Sequence, residues 1–331
     1  MTGPVRTGPR PRRSAFVLLA LLLVAALAPL LANDVPLLAR VDGRWHFPAF
    51  ADCVGATTAP PFDMAWKRWW ARLPADSPDF AWMPPWPHGA YETNFARSDE
   101  APSLQHPLGT DQQGRDHLAR LLHGARASVG SGALAVGLGL LVGTLLGGLA
   151  GLCRGWLDAL VQRTIEVFLC FPSLLLLMFG AALFGSSWLA MVLVMAALYW
   201  TSFARVVRGE LLSLREREYV VTARSLGVGR LRLLTHHLWP QVRGQVAVAA
   251  AFCLGGAILA ESTLSFLGLG PGAAGSSWGT ILRQGSEHVH VAGWHGWLIP
   301  ALAVVGTALL CHRLAAAWQA PRADVGQPEP R

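Results

Sequence analysis

SVGSGALAVGLGLLVGTLLGGLAGL, residues 128–152, contains no charged side chain. A helix needs about 20 predominantly apolar residues to cross a bilayer, so this stretch predicts a membrane span. Small residues recur along it at every fourth position, namely Ser131, Ala135, Gly139, Gly143, Gly147 and Gly151. Small residues at that spacing let a second helix approach closely in a membrane. The stripe therefore predicts a helix-packing face.

Further apolar runs lie on both sides of this stretch. Four of them, at 15–32, 187–204, 245–264 and 297–318, are predicted spans, and a fifth, 164–184, contains Pro172, which predicts a kink. The run 15–32 follows several Arg residues and could also be a cleaved signal peptide. Signal cores are normally about 7–15 residues, so an uncleaved first span is favoured. The prediction is six spans with both termini on one side.

The composition agrees with a membrane protein and argues against a soluble enzyme. Hydrophobic residues make up 53% of the 331 and charged residues 14%, whereas soluble domains carry about 25% charged residues. The net charge is +7, and Lys67 is the only lysine. A basic chain can indicate nucleic-acid binding, but these Arg residues lie between apolar runs. With a cytoplasmic N-terminus, 17 of the 27 basic residues lie inside, as membrane topology favours.

Residues 33–127 differ from the rest of the chain. They contain no span-length apolar run, and they are rich in Trp and in Pro, which breaks long helices. This composition predicts a folded extracytoplasmic insert, or one resting on the membrane interface, where Trp is common, and it leaves open whether the insert contacts a partner or is a structural cap. The predicted organisation is a cytoplasmic N-terminus with the first span (1–32), the insert (33–127), a five-helix core (128–320) with a cytoplasmic loop (205–243), and a tail (321–331).

The loop between the fourth and fifth predicted spans is REREYVVTARSLGVGRLRLLTHHLWPQ, residues 215–241. Apolar residues recur at helical spacing into this loop: Leu211, Leu214, Tyr219, Ala223 and Leu226. Gly227 follows where a helix C-terminus favours a left-handed residue, and Pro240 is expected to end a second short helix. The pattern predicts a helix–Gly–helix hairpin on the inner surface that another subunit holds.

This loop also resembles a known family. Glu218-Tyr219-Val220, Ala223-Arg224, Leu226-Gly227, His237 and Pro240 are similar to the "EAA" loop of permease subunits of binding-protein-dependent ABC importers. LGTDQQGRD (108–116), ESTLSFLGLG (261–270) and SWGTIL (277–282) resemble the oligopeptide, dipeptide and nickel branch. The matches occur in the right order over about residues 106–320. NDVPLLARVDGRWHFPAF (33–50) resembles the insert of microcin C-type oligopeptide permeases, which favours a peptide cargo.

The resemblance implies a mechanism and partners. The hairpin docks on a cytoplasmic ATPase whose closure on ATP rocks the spans, a second homologous permease completes the pathway, and an extracytoplasmic binding protein delivers substrate. The implied coupling residues are Glu218, Tyr219, Ala223, Gly227, His237 and Pro240. The chain itself cannot hold a P-loop, because that motif requires Gly-Lys-Ser/Thr and Lys67 stands between Trp66 and Arg68. We therefore expect no cofactor on this chain and no catalytic residues, and ATP to be used by the partner.

The sequence departs from the family pattern at a few positions. Thr222 replaces the first Ala of the usual Ala-Ala pair, and Gln241 stands where Asn is common. The last span ends in LLCHRLAAAW without the acidic tail that the family shows, which leaves the contacts of the C-terminus open.

Other functional classes are less well supported by the residues. Glu287, His288, His290 and His295 are close in sequence, but zinc sites need well-placed ligands and we predict no metal. Glu166 and Glu261 are ionisable residues near the ends of spans, where pairing of Glu166 with Arg163, or snorkelling to the interface, is expected. Nickel or another small solute remains the alternative cargo, and a secondary transporter the alternative class. The predicted fold is an all-α, six-span permease of the type I ABC importer kind in the bacterial inner membrane.

Overall fold

The computed structural model describes residues 11–53, 60, 64–74, 77–153, 155–185, 187–226, 228–229, 232–270, 276–287 and 294–319. Most of these residues are helical, as predicted for a membrane protein. The description begins with α1 (Pro11–Ala26) and α2 (Ala28–Leu31). Pro29 lies in the first turn of α2, where its missing N–H is tolerated.

The insert contains a small sheet, so the prediction of an all-α chain is wrong in this detail. Its elements are β1 (Leu38–Val41), β2 (Arg44–His46), α3 (Pro48–Cys53), α4 (Trp66–Ala71) and β3 (Phe80–Trp82). β1 pairs antiparallel with both other strands. Asp42 and Gly43, both with positive φ, form the tight turn between β1 and β2, and Asp-Gly is a strong hairpin signal. One face of the sheet buries Ala39 and Val41 against Trp66.

Long helices form the core of the protein. They are α5 (His117–Cys153), α6 (Trp156–Leu169), α7 (Ser173–Phe184), α8 (Trp188–Leu214), α9 (Glu218–Ser225), α10 (Trp239–Phe266), α11 (Trp278–Glu287) and α12 (His295–Gln319). A π-helix, Leu233–Leu238, precedes α10. α5 begins at His117 and not at residue 128 as predicted. Its first turns therefore belong to the segment 33–127 that was predicted to be the insert.

The predicted span 164–184 is not one kinked helix. It overlaps α6 and α7, whose axes differ by 88° across the short break between Leu169 and Ser173. Pro172 precedes α7 with ψ 126°. Its ring removes a backbone donor and disfavours helical geometry in the residue before it. The proline therefore separates two helices where the sequence predicted only a bend.

Four described helices are long and apolar enough to cross a membrane, namely α5, α8, α10 and α12. The α6–α7 pair makes a fifth if the two helices form one bent span. The apolar part of α1, Phe16–Ala26, is shorter than a span. Of the six predicted spans, four thus coincide with helices of full length.

Two apolar cores hold these helices together. The larger joins α5, α8 and α10, and its fully buried members include Phe203, Met195 and Ala257. The second joins α1, α5, α10, α11 and α12, and its members include Ile258, Trp278 and Cys311. α10 contributes to both cores because apolar residues lie all around it, which is typical of a helix buried among other helices.

Candidate functional site

The small-residue stripe of α5 lies against α8 along its glycine part, from Gly139 to Gly151. All six of its residues are buried: Ser131, Ala135, Gly139, Gly143, Gly147 and Gly151. A methyl group at Gly143 would collide with the carbonyl oxygen of Trp200, and one at Gly147 with the carbonyl oxygen of Ala204. At Gly151 it would lie 2.9 Å from Cβ of Leu211. The absence of side chains at these glycines thus permits contact between the backbones of the two helices.

The loop between α8 and α10 is anchored in the larger core by side chains that differ in part from those predicted. α8 ends at Leu214 and α9 begins at Glu218, so the helical repeat does not run unbroken from Leu211 to Leu226. Val220 is fully buried, whereas Tyr219 is 38% exposed and Leu226 is 79% exposed. The predicted apolar face is therefore not buried at Tyr219 and Leu226, because the break after Leu214 interrupts the helical repeat and Leu226 lies beyond the end of α9.

Several contacts connect the loop to the long helices. Gln241 in α10 donates from Nε2 to the hydroxyl oxygen of Tyr219 over 2.6 Å. Leu233 and Leu238 of the π-helix are buried in the same core as Val220. Arg215 donates to the carbonyl oxygen of Gly151 at the end of α5. A displacement of α9 would therefore act on the π-helix and on α10, whereas the Arg215 contact connects the end of α8 to α5.

The predicted coupling residues occupy different places in this segment. Glu218 and Tyr219 are exposed in the first turn of α9, and Ala223 is half-buried on the same helix. Pro240 is in the first turn of α10 and does not end a helix before it; its missing N–H is tolerated there. His237 lies in the π-helix, but its side chain, like Gly227, is outside what the structure describes.

An ion pair between α6 and α8 was not predicted from the sequence. Nε and Nη2 of Arg208 donate to the two carboxylate oxygens of Asp158 over 2.5 and 2.9 Å. The pair is bidentate and only partly exposed, which makes it stronger than a single surface contact. Asp158 is in the first turn of α6, where the helix dipole also favours a carboxylate. The partners are 50 residues apart, and no local pattern signals a contact over that separation.

At the opposite end of α5, the LGTDQQGRD stretch forms a charged network. Asp111 accepts hydrogen bonds from Nε of Arg115 and Nη1 of Arg120, each over 2.6 Å. Arg120 is almost fully buried and also donates to Oε1 of Gln284 in α11 over 2.6 Å. Burial alone would raise the pKa of Asp111, but Arg120 and Arg115 outweigh it and hold that pKa below its ordinary value. The network ties the segment before α5 to α11.

Asp116 caps the start of α5. Its Oδ1 accepts from the backbone N–H of Ala119 over 2.7 Å and from the indole of Trp86 over 3.0 Å. Its Oδ2 lies 2.7 Å from Nδ1 of His106. The carboxylate thus satisfies a free amide of the first helical turn and attaches the insert to that helix.

The ESTLSFLGLG and SWGTIL stretches meet around a buried carboxylate. Glu261 is fully buried and accepts hydrogen bonds from Ser265 over 2.7 Å and Ser262 over 3.4 Å. The backbone N–H of Trp278 donates to Oγ of Ser128 over 3.0 Å. The snorkelling expected for Glu261 is therefore wrong, because serine hydroxyls satisfy it inside the bundle. Arg163 does pair with Glu166, over 2.6 Å, as expected.

No group of three His, Cys, Asp or Glu side chains is placed to hold a metal ion among residues 11–319 as far as the structure describes them. His288 and His290 of the sequence cluster lie outside the described residues, and Glu287 forms an ion pair with Arg283.

Comparison with known proteins decides the family. A family model described as the inner membrane component of binding-protein-dependent transport systems matches residues 143–325, more than half of the chain. The chain belongs to this family. It is therefore a multi-pass inner membrane protein and a transport component, not an enzyme.

Three curated relatives of this inner membrane component match it over similar lengths. A glutathione transport system permease of Pectobacterium atrosepticum is 35% identical over 65% of this chain and 71% of its own. A dipeptide transport system permease of Alkalihalophilus pseudofirmus is 36% identical over 61% of this chain and 67% of its own. An oligopeptide transport system permease of Haemophilus influenzae is 36% identical over 65% of this chain and 70% of its own.

Proposed function

We propose that this chain is one of two dissimilar permease subunits of an ATP-driven importer, and that it forms half of the pathway for oligopeptides or peptide-like substrates. Its six spans are the four long helices, the bent α6–α7 pair and the N-terminal segment 15–32, which contains α2 and most of α1. Both termini are cytoplasmic, residues 33–127 are extracytoplasmic, and 205–243 form the cytoplasmic coupling loop. A separate subunit uses ATP, and an extracytoplasmic binding protein delivers the substrate.

Exposed apolar side chains on α9 and just after it support this proposal. Val221 in α9 is 51% exposed, and Leu226, which follows the last residue of α9, is 79% exposed. Val220, next to Val221, is fully buried and fixes the helix to the core. A short helix that is anchored by one side chain and presents apolar neighbours to solvent is suited to binding in a hydrophobic groove. Since the anchored side contacts the cores of α8 and α10, a partner that moves α9 would move the spans.

The cargo follows from the relatives. The three relatives described above carry the names of glutathione, dipeptide and oligopeptide permeases, so peptides are the shared substrate class. The insert 33–50 supports the same assignment through its resemblance to one peptide subgroup. Nickel or another small solute is the alternative cargo within the family.

The proposal is tested by purifying the tagged protein from its native membrane and identifying its partners by mass spectrometry. Wild-type protein should bring down a P-loop ATPase and a second permease. Val221→Glu with Leu226→Glu should lose the ATPase, because two carboxylates would replace apolar contacts. The control is Phe95→Glu, which alters a side chain of the insert that is 72% exposed and should leave the complex intact.

Two outcomes would contradict the proposal. If the double variant retains the ATPase at wild-type yield, α9 is not its docking element. If the wild-type protein is recovered alone or only with itself, the ABC importer interpretation is wrong and a secondary transporter becomes the better one.

A further inference from the structure

A cavity of about 800 Å³ lies between the insert, α5 and the start of α8. This volume falls in the range of small-molecule sites, about 300–1,000 Å³. Ionisable and aromatic side chains line it, among them Asp34, Asp52, Tyr91, His123, Arg126 and Trp188. The cavity is at the end of α5 that lies away from the α9 loop, and so on the extracytoplasmic side in the proposed topology.

Asp34 contributes a carboxylate that no other described residue engages. Among the described residues, no other residue forms a hydrogen bond or an ion pair within 4 Å with its side chain. Burial, assisted by nearby Glu92, raises the pKa of Asp34 above its ordinary value. A Cβ atom at Gly89 would lie 2.5 Å from Oδ1 of Asp34, so this glycine makes room for the carboxylate at its present place.

The same cavity also presents a positive charge. Arg126 donates from Nη2 to the backbone carbonyl oxygen of Cys53 over 2.6 Å, and within the described part of the chain it forms no ion pair with a carboxylate. Asp52 is engaged by the amide of Asn33 over 2.9 Å, and His123 lies 2.7 Å from the carbonyl oxygen of Ala32. The cavity therefore presents charges of both signs, and of its two carboxylates Asp34 is the one that no other described residue engages.

We propose that this cavity receives a short peptide on its way into the pathway, with the carboxylate of Asp34 accepting hydrogen bonds from the peptide's free α-ammonium group. The inference rests on the proposed function and specifies its substrate as peptides with an unblocked N-terminus. An ammonium group offers three donors and a full charge to Asp34, and charge-assisted hydrogen bonds are about twice as strong as neutral ones. Partial burial strengthens the attraction further, because fewer water molecules screen it.

The test compares uptake of Ala-Ala-Ala and N-acetyl-Ala-Ala-Ala by the complete importer in proteoliposomes. The readout is the ratio of the initial uptake rates of free and acetylated peptide. The same binding protein delivers both peptides to every variant, so its own preference cancels when ratios are compared. Asp34→Asn should lower the ratio about 10-fold relative to wild type, by slowing uptake of the free peptide only.

Asp79→Asn is the matched control, since it makes the same chemical change in the insert outside this cavity and should leave the ratio unchanged. Gly89→Ala provides a second test, because it keeps the Asp34 charge but displaces the carboxylate. Gly89→Ala should also lower the ratio of free to acetylated peptide uptake. If Asp34→Asn fails to assemble with its partners, Gly89→Ala alone tests the ammonium site.

Each result has a distinct meaning. An unchanged ratio in assembled Asp34→Asn, or in Gly89→Ala where the former does not assemble, overturns the ammonium site while leaving the importer intact. If the wild-type complex imports neither the free nor the acetylated peptide, the proposed function itself is wrong. An equal fall in Asp79→Asn would show that any loss of charge in the insert acts on uptake, and the assignment to Asp34 would be wrong.

Discussion

The amide of Gln241 at the start of α10 donates a hydrogen bond to the hydroxyl of Tyr219 in α9, over 2.6 Å. The two residues are 22 positions apart and belong to different helices. Their contact fixes the short loop helix to the long helix that contributes to both apolar cores. It is a direct path by which force on α9 can reach the spans.

Tyr219→Phe is expected to weaken coupling. The variant removes the hydroxyl and keeps the ring, so it deletes a hydrogen bond worth about 1 kcal/mol, and uptake per ATP hydrolysed should fall about five-fold. Uptake and ATPase rates measured together on proteoliposomes check this. Thr222→Ala is the control, because the Thr222 hydroxyl bonds within its own helix, to the carbonyl of Glu218. A normal ratio of uptake to hydrolysis in Tyr219→Phe would show that the contact does not transmit force.

Gly143→Ala is expected to destabilise the fold by about 1–3 kcal/mol, since its new methyl group meets the backbone of α8 and overpacking has costs of this size. Thermal unfolding in detergent measures it. Gly137→Ala is the matched control on the same helix, where nothing apart from the helix's own neighbouring backbone lies within 4 Å of the added Cβ. It should be neutral, or stabilising by up to about 1 kcal/mol. Equal melting temperatures for the two variants would contradict the close approach of α5 and α8.

Exchange of charges should test the Arg208–Asp158 pair. Arg208→Asp alone places two carboxylates together and should lower the melting temperature. Arg208→Asp combined with Asp158→Arg should recover part of the loss, because the attraction returns with its direction reversed. Partial exposure limits the coupling energy to about 1 kcal/mol. The double variant is compared with the sum of the effects of Arg208→Asp and Asp158→Arg measured singly. If it is no more stable than that sum predicts, the ion pair does not contribute to the stability of the fold.

Asp111 should make the stability of the folded protein depend on pH in the acid range. Its folded pKa lies below the ordinary value of 3.8, so its contribution is complete above that ordinary value and is lost as the pH falls through the folded pKa. Asp111→Asn should therefore lower the melting temperature at neutral pH and flatten the decline of the melting temperature below about pH 5. An unchanged acid slope in the variant would assign the acid sensitivity to other carboxylates.

Asp34→Asn should have the opposite effect on stability at neutral pH. The raised pKa of Asp34 means that its charged form is less favourable in the folded protein than in the unfolded chain. Removing the charge should therefore raise the melting temperature at neutral pH, and the gain should shrink as the pH falls and Asp34 takes up a proton. A lower melting temperature in this variant would show that the Asp34 carboxylate has a partner that stabilises the fold.

Much of the long-range organisation could be predicted from local patterns. The small-residue stripe, the four long apolar runs and the helical loop with Tyr219 and Val220 are all repeats over a few turns, and such repeats report the helix and its faces directly. The Asp42-Gly43 pair is a further local signal, for the hairpin of the insert. The family motifs at 108–116, 218–240 and 261–282 are short stretches of chain, and they indicate a transport component without any knowledge of distant contacts.

Other features depend on where distant segments meet. Pro172 marks a disturbance in the sequence, but the 88° turn depends on how α6 and α7 pack afterwards. The burial of Val220 and the exposure of Leu226 depend on the break after α8 and on the end of α9 at Ser225, and no periodicity encodes how the chain turns there. The same holds for the Arg208–Asp158 pair, with partners 50 residues apart.

The sequence by itself determined that the chain crosses a membrane and belongs to a family of transport components, because span length, charge distribution and short motifs are local properties of the chain. Only the tertiary structure decided which ionisable groups are paired. Asp111, Asp116 and Glu261 are satisfied by hydrogen-bond partners in the folded chain, whereas Asp34 is left facing a cavity. Hydrogen bonds and ion pairs act over about 3–4 Å, and folding alone brings such residues within that distance.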